Sequence, residues 1–111
     1  MSRAPSDSDF NVEVEGVGRF TFGRRRMRDE VAIQVEYARL IDGVEPTVWL
    51  QTVCGWISVL SVLTVRAPAG WNIDELDPLD PVTYEQMGKV FDALSDKERS
   101  FRGNKTVQSE G

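Results

Sequence analysis

Few residues in this chain could do covalent or metal chemistry. Histidine is absent, which removes the commonest general base and the commonest metal ligand. Cys54 is the single cysteine. No imidazole is present to activate its thiol, and apolar residues surround it in sequence, so it reads as a small structural hydrophobe. Asp74, Glu75, Asp77 and Asp80 crowd one stretch. A calcium loop needs its ligands at set positions around a glycine turn. That spacing is missing and Pro78 and Pro81 interrupt the stretch, so it reads as a solvated acidic connector. "GVGRFTFG" lacks the order and helix context of a phosphate loop. The expectation is a non-enzymatic protein with no metal and no cofactor.

Two other groups suit recognition better than catalysis. Arg24, Arg25, Arg26 and Arg28 lie within five residues and could contact phosphates. No aromatic interleaving or basic helix accompanies them, so pairing with carboxylates or contact with a protein fits them better, and no nucleic-acid partner is expected. Trp49, Trp56 and Trp71 are the tryptophans. Core packing is their plain use, and Trp and Arg are also favoured interface anchors.

Charge is unevenly placed. Residues 1–28 carry net +2, residues 29–98 net −9 and residues 99–111 net +2, for −5 overall. A body this acidic repels nucleic-acid phosphates and keeps a protein with apolar surface in solution. The opening "MSRAPSDSDF" contains no apolar signal-type segment. With one thiol and no such segment, the expectation is a reducing, cytoplasmic setting.

The elements that position these residues follow from periodicity. In "FNVEVEGVGRFTF", Phe10, Val12 and Val14 share one face, as do Phe20 and Phe22. This is the period-two pattern of half-buried strands, with Gly16 and Gly18 permitting a hairpin turn. A lone hairpin is marginal in water, so its apolar face must cover something else. "DEVAIQVEYARLID" then reads as a helix. Val31, Val35, Ala38 and Ile41 form one stripe and Ile33, Tyr37, Leu40 and Val44 a second, which predicts burial on more than one side.

Thr47 to Val65, "TVWLQTVCGWISVLSVLTV", holds no charged residue. Pro46 suits the first turn of a helix. Trp49, Val53, Trp56, Leu60 and Leu63 recur at 4, 3, 4, 3, and Thr47, Gln51, Cys54, Ser58 and Ser61 repeat that spacing two residues away. Two residues rotate a helix by about 200°, so the more polar stripe lies opposite the aromatic one. As a membrane span the run would be about 28 Å long, just sufficient. Its Gln, Thr and Ser penalise lipid contact, and no basic cluster marks an end; no membrane association is expected. Burial of a large apolar side chain is worth about 1.5–3 kcal/mol. Leaving the five-residue stripe in water would therefore forgo roughly 7–15 kcal/mol, as much as a domain's whole stability. The stripe must be covered, and self-association or a partner is a natural way to finish covering the apolar surface around it.

Pro68 and Gly70 stop this helix. Asn72 and Glu75 have capping-box spacing for a short turn, and Thr83 with Gln86 repeats it, with Val82 and Met87 as a hydrophobic staple. Met87, Val90, Phe91 and Leu94 stripe the last helix. The predicted fold class is α+β: an N-terminal β-hairpin followed by three main helices in one small domain over residues 10–101. Residues 1–9 are expected to be a disordered leader and residues 102–111 a disordered polar tail.

The run "GRFTFGRRRMRDEVAIQVEYARLIDGVEPTVWL", followed by "GWISVLSVLTVRAPAGWNIDELDPLD", resembles small proteins encoded in the tail gene clusters of long-tailed bacteriophages and prophages. These are the phage tail assembly chaperones. The resemblance is one of overall pattern from Phe10 to Phe101, with no catalytic signature. It implies binding to the tape measure protein, a long and largely helical chain, which is kept soluble until the tail tube polymerises around it. It also implies absence from the mature virion, and in many such clusters a frameshift yields a C-terminally extended form, a further partner. Helix-in-groove recognition is the expected mode, with Val48, Ile57, Met87 and Phe91 bordering the groove beside Trp49, Trp56 and the arginines. The alternatives are a structural virion component, such as a minor tail or head–tail connector protein, and a nucleic-acid-binding regulator using Arg24–Arg28.

Overall fold

The computed structural model describes residues 3–45, 47–77 and 79–110, the last eight as helical backbone. It has the α+β architecture expected. Strands β1 (Phe10–Val14) and β2 (Gly18–Phe22) form an antiparallel hairpin. Helices α1 (Met27–Ile41) and α2 (Val48–Leu63) follow, then a short strand β3 (Thr64–Arg66), a 3-10 turn (Ile73–Glu75) and helix α3 (Pro81–Glu110). The sheet order is β1-β2-β3, all antiparallel.

The hairpin register pairs Phe10 with Phe22 and Val12 with Phe20, so the alternating apolar residues share one face, as their spacing requires. Gly18 has φ +140°, and a Cβ there would lie 2.6 Å from Pro68 Cγ. Backbone conformation and close approach both call for glycine at this position. The hairpin's apolar face, with Phe20 and Phe22 fully buried, packs on Leu60 and Leu63 of α2 and on Val90 and Leu94 of α3. Trp71 closes one end edge-on to Phe20 at 5.2 Å, and Phe101 closes the other edge-on to Phe10 at 5.0 Å. Trp71 is thus partly buried against the core.

The third strand is a correction. Thr64–Arg66 lies at the end of the apolar run read as helix, but α2 stops at Leu63 and the chain turns to extended backbone at Thr64. Phe22 pairs with Thr64 and Thr21 with Arg66 across a local irregularity, and Gly23 N donates to Leu63 O at 2.8 Å. The strand satisfies β2's second edge, which a two-stranded hairpin would leave open.

The faces of the helices differ from the simple stripes. On α1, Ile33 points into the core, while Val31 and Val35 are 58% and 63% exposed; burial on two sides is not what this helix has. On α2, Val53, Leu60 and Leu63 are buried as expected, but Cys54 and Ser58 of the opposite stripe are buried too. Ser58 Oγ donates to Cys54 O at 2.6 Å, which satisfies its hydroxyl inside the helix and leaves a small surface for α1 to pack on. Thr47 caps α2, accepting from Leu50 N at 3.1 Å; Pro46 lies outside the described residues. On α3 the cap is Asp80, whose Oδ2 accepts from Thr83 N and Thr83 Oγ1. Pro81 then occupies the first helical position, where proline is favoured. The expected Thr83 cap and Val82–Met87 staple are displaced, and Val82 is 64% exposed.

Residues read as a leader contact the body: Arg3 Nη1 donates to Asp29 Oδ1 at 2.7 Å. At the other end, the backbone of α3 continues to Glu110, through the segment read as a tail.

Candidate functional site

A groove of about 380 Å³ runs across α2 between α1 and α3. Gln51, Thr52, Gly55, Trp56 and Val59 of α2 form its floor and one side. Residues 51, 52, 55, 56 and 59 recur at i, i+1, i+4, i+5, i+8, so they share one helix face. Ile33, Gln34 and Tyr37 of α1 form the facing wall, Phe91 of α3 closes the other, and Arg25 with Glu30 stands at one end. Gly55 is central. A Cβ there would meet nothing within 4 Å, so packing does not demand the glycine. Glycine in a helix interior costs about 1 kcal/mol relative to alanine, and at Gly55 it keeps the groove floor low.

An aromatic row borders the groove on the α3 side. Trp49 stacks on Tyr84 with centroids 6.4 Å apart, Tyr84 meets Trp56 at 5.1 Å, and Trp56 meets Phe91 at 6.2 Å. The Trp56 ring lies against α3 at Gly88, where a Cβ would sit 3.4 Å from the indole, in van der Waals contact. Trp49 is 39% exposed. The row gives the site apolar faces held at fixed angles, while Gln34, Gln51 and Thr52 supply hydrogen-bonding groups at the rim.

The structure separates the other predicted residues. Trp56, Phe91 and Arg25 line the groove. Met87 is buried, 1% exposed, and is not among the residues that line the groove. Val48 is 80% exposed on the first turn of α2, outside the groove lining, and Ile57 is half-buried on a different face of α2 from Gly55. Sequence reasoning passed over Gly55, Gln34, Gln51 and Thr52. The available signal was Gly55 itself, a glycine in the middle of an otherwise strongly apolar helix.

The arginines do not form one basic patch. Arg24 lies over the Phe101 ring at 4.0 Å. Arg25 donates through Nε and Nη2 to the two carboxylate oxygens of Glu98, at 3.1 and 3.0 Å, and through Nη1 to Glu30 at 2.8 Å. Burial alone would make Arg25 less basic, but the hydrogen bonds and charges of Glu30 and Glu98 outweigh it and hold the guanidinium more basic than usual. Arg26 and Arg28 are exposed. The run therefore joins the β2–α1 connection to α3 and leaves its last two members at the surface.

Cys54 is buried, and that burial pushes its thiol pKa up. A thiol so placed is protonated and shielded from reagents. Among the described residues, no group of three or more His, Cys, Asp or Glu is placed to hold a metal ion, and no helix is long and apolar enough to cross a membrane. Asp77 and Asp80 of the acidic connector instead accept backbone hydrogen bonds, from Leu79 N and Thr83 N. Comparison with protein-family models, with curated proteins and with solved structures finds no match for the chain.

Proposed function

We propose that this protein is a non-enzymatic phage tail assembly chaperone that binds helical segments of a tape measure protein and keeps that protein soluble. The observation that carries the reading is the groove over Gly55, walled by Tyr37, Trp56 and Phe91. Such a groove suits the apolar face of an amphipathic helix, with anchors recurring at three and four residues. The polar groups at its rim tolerate variation in the bound sequence, which a holdase for many helical segments needs. The body's net −9 over residues 29–98 keeps a protein with open apolar surface, and its cargo, from aggregating. The phage context itself rests on the resemblance of Phe10–Phe101 to tail-cluster proteins.

Co-expression with the tape measure protein of the same gene cluster tests the reading. The expected result is a soluble long partner that co-purifies with this protein. A partner that stays insoluble beside well-folded protein overturns it, and recovery of this protein from purified mature particles would assign it to the virion instead.

A further inference from the structure

We propose that the outer face of α1 is a self-association surface on which two copies pair through antiparallel α1 helices, with the twofold axis at Val35. The inference does not rest on the proposed chaperone function. Met27, Val31 and Val35 recur at four-residue intervals and are 78%, 58% and 63% exposed. With Ala38 they form one apolar stripe on the side of α1 away from Ile33 and the core. The stripe is distinct from the groove, although Glu30 and Gln34 border both.

The charges at the two ends of the stripe select the occupant and the register. Among the described residues, neither Arg28 nor Asp42 has an ion-pair partner within the chain. Arg28 lies seven residues before Val35 and Asp42 seven residues after it. An antiparallel copy centred on Val35 therefore brings Arg28 level with the copy's Asp42, and symmetry repeats the pair at the other end. Val31 and Ala38 fall between the two ion pairs. Arg39, on the same edge, is held by Glu36 at 2.6 and 3.0 Å, which offsets its repulsion of the incoming Arg28. Antiparallel packing also sets the positive end of each helix dipole beside the negative end of the other. A surface matched to itself in this way gives an isologous, closed dimer.

The test uses the full chain in sedimentation equilibrium across a concentration series. A reversible monomer–dimer equilibrium is expected, and Val35→Glu should raise the dissociation constant by roughly 30-fold or more with the circular dichroism spectrum unchanged. Arg28→Asp and Asp42→Arg should each weaken the dimer, and the double variant should recover it, because the swapped charges again face each other. Cysteine substitution checks the register independently. Val35→Cys should form a disulfide-linked dimer under mild oxidation. Val31→Cys should not, since its two copies are offset by eight residues, about 12 Å along the axis. Buried Cys54 provides no competing thiol. A chain that is monomeric up to about 1 mM, a dimer indifferent to Val35→Glu, or equal cross-linking at positions 31 and 35 would each overturn the proposal.

Discussion

Arg25 and Glu98 are 73 residues apart in the chain and meet in a two-point ion pair, Nε to Oε2 at 3.1 Å and Nη2 to Oε1 at 3.0 Å. Glu98 is 7% exposed. The pair ties the connection entering α1 to the middle of α3, so it fixes the end of the groove and its walls together. Removing one partner strands the other in a poorly solvated place. Arg25→Ala and Glu98→Ala are each expected to cost about 2–4 kcal/mol. The double variant should lose less than the two losses combined, since neither charge is then left alone. Urea titrations of the three variants measure this directly.

Asp29 gives the fold an acid-sensitive contact. Burial works against its charge, but the Arg3 guanidinium and the Arg26 backbone N–H hold its carboxyl below the usual carboxylate range. Its folded pKa lies below its unfolded one, so the stability it contributes is complete above about pH 5 and is lost as pH falls below about 4. The urea midpoint should therefore drop on acidification through this range. Asp29→Asn should be less stable at pH 7 and show a shallower drop. An equal slope in the variant would mean that other carboxylates dominate.

The hairpin, the presence and order of three helices, and most of the core were legible because alternation and three–four spacing report directly on burial against a neighbour. What periodicity does not report is which neighbour. Val31 and Val35 have the spacing of core residues, yet face outward, and no feature of α1 alone distinguishes a core from an unpartnered face. Cys54 reads as a small structural hydrophobe and is buried, while Ser58, on the more polar stripe opposite the aromatic one, is buried as well; their small size lets α1 approach α2 closely. Thr64–Arg66 continues an apolar run, and its change from helix to strand is set by the open edge of β2, a tertiary demand. Capping-box spacing places the start of α3 at Thr83, but the cap is Asp80, and Pro81 directly after it at the first helical position is the discriminating sign. Of the residues read from the sequence as partner-binding, Trp56, Phe91 and Arg25 line the groove over Gly55, whereas periodicity does not mark Gly55, Gln51 and Thr52 as its lining.

Met87 and Val48 were grouped in sequence and should separate in experiment. Met87 is 1% exposed and Val48 80% exposed. Met87→Ala leaves a cavity in the interior and should cost about 2–5 kcal/mol. Val48→Ala should stay within about 0.5 kcal/mol of the parent. Thermal unfolding of the pair checks the assignment, and near-equal losses would contradict it.

Gly55 offers the sharpest separation of stability from binding. It sits on the groove face of α2 where a Cβ would meet nothing within 4 Å. Gly55→Ala removes the glycine's entropic cost without a clash and should stabilise the fold by about 0.5–1 kcal/mol. Gly55→Leu keeps the helix-favouring gain but sends a branched side chain into the space between Tyr37 and Trp56. It should remain folded, with an unfolding midpoint no lower than the parent's, while failing to keep a tape measure protein soluble on co-expression. Two measurements on the same sample, a denaturation curve and the soluble fraction of the partner, decide the matter. If Gly55→Leu is stable and still solubilises the partner, the groove is not the binding surface. If it loses both stability and binding, Gly55 is required by packing that the open geometry around it does not reveal. Stability retained with binding lost would place recognition on α2 at this residue.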